Sequence, residues 1–150
     1  HFNRFLYQLL KLKNQGSWPT TIASEKLHNR SHREIIFFIT DFYENEQEIT
    51  KMVKQLKTSR NEVVVLHLLG KNELEFDYKG QVIFEDLETG TKMKVNTKEA
   101  KPEYLQALTQ AMTATKEELV TNGIGYELFT LDSHVGEALQ LFLKKRANIS

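Results

Sequence analysis

The sequence predicts an α/β fold of three layers, built on a mainly parallel sheet with an added antiparallel hairpin. Three observations carry that prediction. First, Ile35–Ile39 and Val63–Leu69 are apolar runs nearly free of polar breaks, the pattern of strands covered on both faces in the middle of a parallel sheet. Second, Ile49, Met52, Val53 and Leu56 recur between them at helical spacing. The unit therefore reads strand–helix–strand, paired in parallel through a right-handed crossover. Third, Val82–Phe84 and Met93–Val95 flank a turn containing Gly90, a hairpin signature.

Taken in order, the chain opens with Phe2, Phe5, Leu6, Leu9 and Leu10 at helical spacing. No capping residue precedes them, so the sequence reads as the C-terminal part of a longer chain, forming a single domain over residues 1–150. A loop carries Trp18 and Pro19, and a short helix is expected from about Thr20 to His28. The first strand ends at Thr40 and Asp41. Asn45 and Glu48 have capping-box spacing and open the crossover helix. After the second strand, about 71–97 forms the hairpin insertion, either within the parallel sheet or at its edge, with Leu74 and Phe76 in a further extended segment. Glu85, Asp86 and Glu88 on one arm can face Lys92 and Lys94 on the other.

A long helix is predicted from about Pro102 to Asn122, with Tyr104, Leu105, Leu108, Ala111, Met112, Thr115 and Leu119 on one face. Gly123 supplies its left-handed end. Tyr126–Leu131 is a third core strand, after which Asp132 or Ser133 caps a last helix burying Val135, Ala138, Leu139 and Phe142.

Composition bounds the function. Twenty basic and twenty acidic residues cancel, so no net field points to nucleic acid or to an anionic membrane. Hydrophobic residues make up 40%, ordinary for a folded domain. The chain has no cysteine, which excludes disulfides, thiolate metal sites and a thiol nucleophile. It has no apolar stretch near the roughly 18–20 residues of a membrane span and no signal peptide, so a cytoplasmic domain is expected. Neither a glycine-rich phosphate cradle nor a zinc-protease or nucleophile-elbow motif occurs.

Three polar residues fall at or near the carboxyl ends of the predicted strands: Asp41, His67 and Asp132. Strand ends of that kind are where ligands collect in open α/β sheets. Converging, the three could serve a metal-assisted hydrolase. Two of them also have a plain structural reading: Asp132 as the N-cap of its own helix, His67 as a satisfied strand histidine. Asp41 is the residue least explained by structure. Phe42 and Tyr43 beside it offer apolar contact to a protein.

The order strand–Thr40-Asp41-Phe42, helix, Val63–Leu69 resembles the second half of a von Willebrand factor A-like domain, a Rossmann-like fold whose N-terminal part is missing here. More specifically, Phe84-Glu85-Asp86-Leu87-Glu88-Thr89-Gly90 resembles the F-x-D-L-E-T-G hairpin of the bacterial domain-of-unknown-function family fifty-eight. The Tyr104-Leu105 helix, the Gly125-Tyr126 strand and the terminal helix follow in the same order, so the resemblance covers about residues 16 to 146.

It implies a non-enzymatic interaction module, similar to partners of MoxR-type AAA+ ATPases. Its protein-binding residues would be Asp41, Phe42, Tyr43 and Glu44. It also implies a metal-ion-dependent adhesion site for Mg2+, with Asp41 as the last aspartate and Thr20 as the loop threonine. The D-x-S-x-S segment of such sites is absent, since Asp41, Asp77, Asp86 and Asp132 are each followed by other residues. One carboxylate and one hydroxyl are too few for a magnesium shell. A sheet lacking its first strand would also expose an edge through which copies of the chain could pair.

Overall fold

The computed structural model describes residues 2–13, 33–42, 48–86 and 89–147. Its elements are α1 (Phe2–Leu9), β1 (Glu34–Thr40), α2 (Glu48–Leu56), β2 (Asn61–Leu69), α3 (Lys71–Glu75), β3 (Gln81–Glu85), β4 (Lys92–Asn96), α4 (Thr97–Thr121), β5 (Gly125–Thr130) and α5 (Val135–Ala147). The expected helix near Thr20–His28 and the Asn45 cap lie outside the described residues.

The apolar runs pair as their composition predicts. β2 is the middle strand of a parallel sheet ordered β1-β2-β5, with Thr40 opposite His67 and Leu69 opposite Thr130. On one face, Val63 and Val65 pack with Val53 and Leu56 of α2, Leu119 of α4 and Ile124, while Ile36, Phe38, Ile49 and Tyr126 close around them. On the opposite face, the Phe142 ring of α5 meets Phe37 edge-on at 5.9 Å. Helices on both faces of the sheet give the three layers.

The end of α4 shows how sequence becomes geometry. Gly123 adopts φ +69°, a conformation nearly free of cost only for glycine. Its N–H donates to the Val120 carbonyl, and the Ile124 N–H to the Leu119 carbonyl, at 2.9 and 3.0 Å. This pair of bonds is the Schellman arrangement, and its customary apolar contact is the buried Leu119–Ile124 pair.

Several expectations are corrected. β1 lies at the rim of the described sheet rather than in its middle, so Ile35, Phe37 and Ile39 stay exposed. An uninterrupted apolar run cannot by itself distinguish a rim strand from a central one. The hairpin forms its own two-stranded sheet, β3-β4, with Glu85 and Lys92 paired at 3.3 Å; Lys94 instead faces Ile83. Leu74 is helical and Phe76 is left-handed at the end of α3, because the Glu73 carboxylate accepts the Gly70 N–H and starts a helical turn.

α4 begins at Thr97, not near Pro102. Asn96 caps it by accepting from the Lys98 N–H, and the Asn96 side-chain amide donates to Glu99. Pro102 is tolerated inside the helix at the loss of one main-chain bond. Because β4 ends at Asn96, strand and helix join without an intervening residue. Thr97 donates both its N–H and its Oγ1 to the Gly80 carbonyl, at 3.0 and 2.9 Å.

Ala111 of α4 is exposed, although the other predicted inward positions are half-buried or buried. In α5, Phe142 is buried, but Val135 and Leu139 are exposed, and the apolar residues of α1 are exposed as well. No described helix is long and apolar enough to cross a membrane.

Candidate functional site

The site is built where β1 and β2 run out. Thr40 closes β1, and its Oγ1 accepts the Phe42 N–H at 2.9 Å. This local side-chain bond competes with extended backbone and turns the chain at Asp41. Phe42 adopts φ +55°. A bulky residue in that region costs of order 1 kcal/mol and persists only where its surroundings fix it.

His67 provides the support. Its ring is buried, lies on the same face as Val63 and Val65, and packs edge-on against the Phe42 ring at a centroid distance of 4.8 Å. On its other side, Nδ1 lies 2.7 Å from the Tyr126 hydroxyl. The registers explain the meeting: Thr40 is opposite His67, and Tyr126 is opposite Val65, two residues away along the same face.

The electrostatics determine the proton positions. Burial holds the His67 pKa below its ordinary value of 6.5, against upward pulls from a hydrogen bond to the Asp41 main chain and from the Asp41 and Glu73 carboxylates. The Tyr126 hydroxyl is pushed up by burial. At neutral pH the phenol therefore donates to Nδ1 of a neutral imidazole whose proton sits on the other nitrogen.

Stability follows from that depressed pKa. The contribution is complete above the unfolded value and is lost as pH falls below it toward the folded value, where the unfolded chain takes up the proton first. The thermal midpoint will thus fall more steeply from about pH 7 to about pH 5 in the wild type than in His67→Asn. Parallel melting profiles for the two proteins would place the loss on other groups.

Asp41 is exposed at the strand end, immediately beside this supported turn. Asp132 is placed elsewhere: its Oδ2 accepts the Lys71 N–H at 2.7 Å, so it caps the start of α3 rather than its own helix. Ser133 turns its hydroxyl back onto the Thr130 carbonyl. The structure thus brings Asp41 and His67 together and uses Asp132 to join two loops, whose pairing continues through the Leu131 N–H to the Leu69 carbonyl at 2.9 Å. Thr20, Tyr43 and Glu44 lie outside the described residues.

Among the described residues, no group of three or more histidines and carboxylates is arranged to hold a metal ion. Asp41 is the one carboxylate there that the adhesion-site resemblance assigns, and by itself it does not fit a magnesium shell. Sequence reasoning missed Tyr126. The signal that would have found it is the register of two parallel strands, which fixes which residues share a face.

A family model described as "Protein of unknown function DUF58" matches residues 1–116. No curated protein matches, and no solved structure does.

Proposed function

We propose that this chain, which belongs to the DUF58 family, is a protein-binding module that engages its partner through the strand-end turn at Asp41 and Phe42. The observation that carries this reading is the left-handed Phe42, held by Thr40 and by the His67–Tyr126 pair. The scaffold maintains an unfavourable backbone conformation beside the exposed Asp41, at a half-buried Phe42 whose ring packs on the core and leaves part of its surface to a partner. Such strain is concentrated at binding and switch sites, and an aromatic fixed before contact binds with less loss of conformational freedom.

The resemblance to a von Willebrand factor A-like domain supports the same location and makes a MoxR-type AAA+ ATPase the partner to test. Tyr43 and Glu44 would extend the contact. The hydrolase alternative would require His67 and Asp132 to face a common substrate beside Asp41. His67 is instead engaged by Tyr126 and Phe42, and Asp132 by the Lys71 amide. The reading rests on direct contact and uses no metal step.

The test is binding of a MoxR-type ATPase from the same genome, measured with and without Mg2+, for the wild type, Asp41→Ala and Phe42→Ala. Each variant should weaken binding by about tenfold or more, as expected for a central contact residue. The Asp41→Ala thermal midpoint should remain unchanged. Wild-type affinity in both variants would overturn the assignment of this surface.

A further inference from the structure

A second concave region lies away from the strand-end turn, between α3, the β3–β4 hairpin and α4. Its cavity has a volume of about 390 Å3 and is lined by Phe76, Tyr78, Phe84, Met93, Tyr104 and the carboxylate-bearing Glu73. That size lies within the usual range for small-ligand sites. The aromatic rings pack on one another along one side of the cavity, with Phe84 also tilted at 35° to Phe76 at 6.1 Å. Tyr78 stands at 74° to Phe76 and at 84° to Phe84, with centroids 5.2 and 5.1 Å away. Tyr104 lies 4.7 Å from Phe76 at 38°.

Two features distinguish this region from ordinary packing under a hairpin. Phe76 is 4% exposed and left-handed, with φ 48° and ψ 51°, so a second unfavourable backbone conformation fixes an aromatic ring at this site. Glu73 is the one residue charged at neutral pH among the described residues lining the cavity. Its carboxylate accepts from the Gly70 N–H, and no lysine or arginine pairs with it among the described residues. The Tyr104 hydroxyl is pushed up by burial, then by Glu73 and by Tyr78. The phenol stays neutral, and the Glu73 charge is felt inside the cavity.

We propose that this cavity binds an organic cation, a methylated ammonium group held against the aromatic rings and balanced by Glu73. Ring faces carry negative quadrupole density and attract a weakly hydrated cation, with a gain that grows as water is excluded. The carboxylate adds charge complementarity that a neutral or anionic ligand would not satisfy. Met93 adds a polarisable wall suited to methyl groups. The same chemistry could be presented by a free small molecule or by a methylated lysine side chain. This inference does not rest on the strand-end reading: the two regions share only Glu73, whose charge also acts on His67.

The test titrates the 150-residue protein with choline, with its uncharged tert-butyl isostere, and with a peptide bearing trimethyl-lysine, following amide resonances of Tyr78, Met93 and Tyr104. Choline should give saturable shifts at these positions, and the neutral isostere should bind at least about tenfold more weakly. Glu73→Gln, which retains an acceptor for Gly70, should weaken choline about tenfold. Tyr104→Leu, a second variant that leaves the Glu73–Gly70 bond untouched, should weaken choline as well. Tighter binding of the peptide than of choline would assign the ligand to a protein side chain, and the reverse to a free molecule; either supports the cation site. Equal binding of the neutral isostere, no effect of Glu73→Gln in a folded protein, or no saturable shift would overturn it.

Discussion

Replacing Leu119 with alanine will lower the unfolding free energy by about 3 kcal/mol, the cost of lost burial plus a cavity in a packed core. Leu119 is fully buried and joins α4 to Val53, Leu56, Val63, Val65 and Ile124. It also supplies the apolar half of the helix stop, so its loss loosens the Ile124 contact that accompanies the Gly123 turn. For a domain whose total stability is roughly 5–15 kcal/mol, this is a large fraction. Urea unfolding should show an earlier midpoint with little change in slope. Val120→Ala is the control: Val120 is 55% exposed, and its truncation should cost no more than about 0.5 kcal/mol. Equal effects at the two positions would mean that this face of α4 is not the buried one.

Asn61→Ala should cost about 2 kcal/mol, although it removes hardly any apolar surface. The Asn61 side chain joins the end of α2 to the start of β2: Oδ1 accepts the Thr58 N–H at 2.8 Å and Nδ2 donates to the Leu56 carbonyl at 2.7 Å. The residue is 9% exposed, so alanine would leave the buried Leu56 carbonyl without its donor where water has little access, and the more exposed Thr58 N–H without its acceptor. Asn61→Asp will not rescue the loss. It keeps the acceptor for Thr58 but sets a carboxylate against the Leu56 carbonyl. Amide hydrogen exchange at Thr58 reports on the loss: it should quicken in Asn61→Ala, and slow exchange retained there would show that the Asn61 side chain is not what protects this amide.

These positions show what could be read from the sequence and what could not. The parallel strand–helix–strand unit, the Gly90 turn and the Gly123 stop follow from residues acting within a few positions of themselves. Val63, Val65, Met52 and Leu56 are buried because their periods match their elements. The start of α4 was also legible, since Asn96 and Glu99 have capping-box spacing, but Pro102 gave the more conspicuous signal for a first turn.

Other features depend on partners far along the chain. The rim position of β1 is set by strand order, which Ile35–Ile39 do not encode locally. Asp132 has the local pattern of a cap for its own helix, yet the Lys71 amide is presented to it by another loop. The His67–Tyr126 bond and the rings around Phe76 likewise arise only when register and hairpin placement bring separate segments together. Sequence located Asp41 and Phe42 at a strand end. The left-handed backbone and its supporting ring required the folded chain.

The pair of hydrogen bonds from Thr97 to the Gly80 carbonyl has a mechanical consequence. It closes the root of the hairpin at the point where β4 passes directly into α4, making ribbon and helix a single beam. With 25 residues, the helical part is about 37 Å long at 1.5 Å per residue, and its far end is embedded at Leu119. A load applied at the hairpin is therefore carried along a stiff arm into the centre of the domain rather than being absorbed at a joint near the surface.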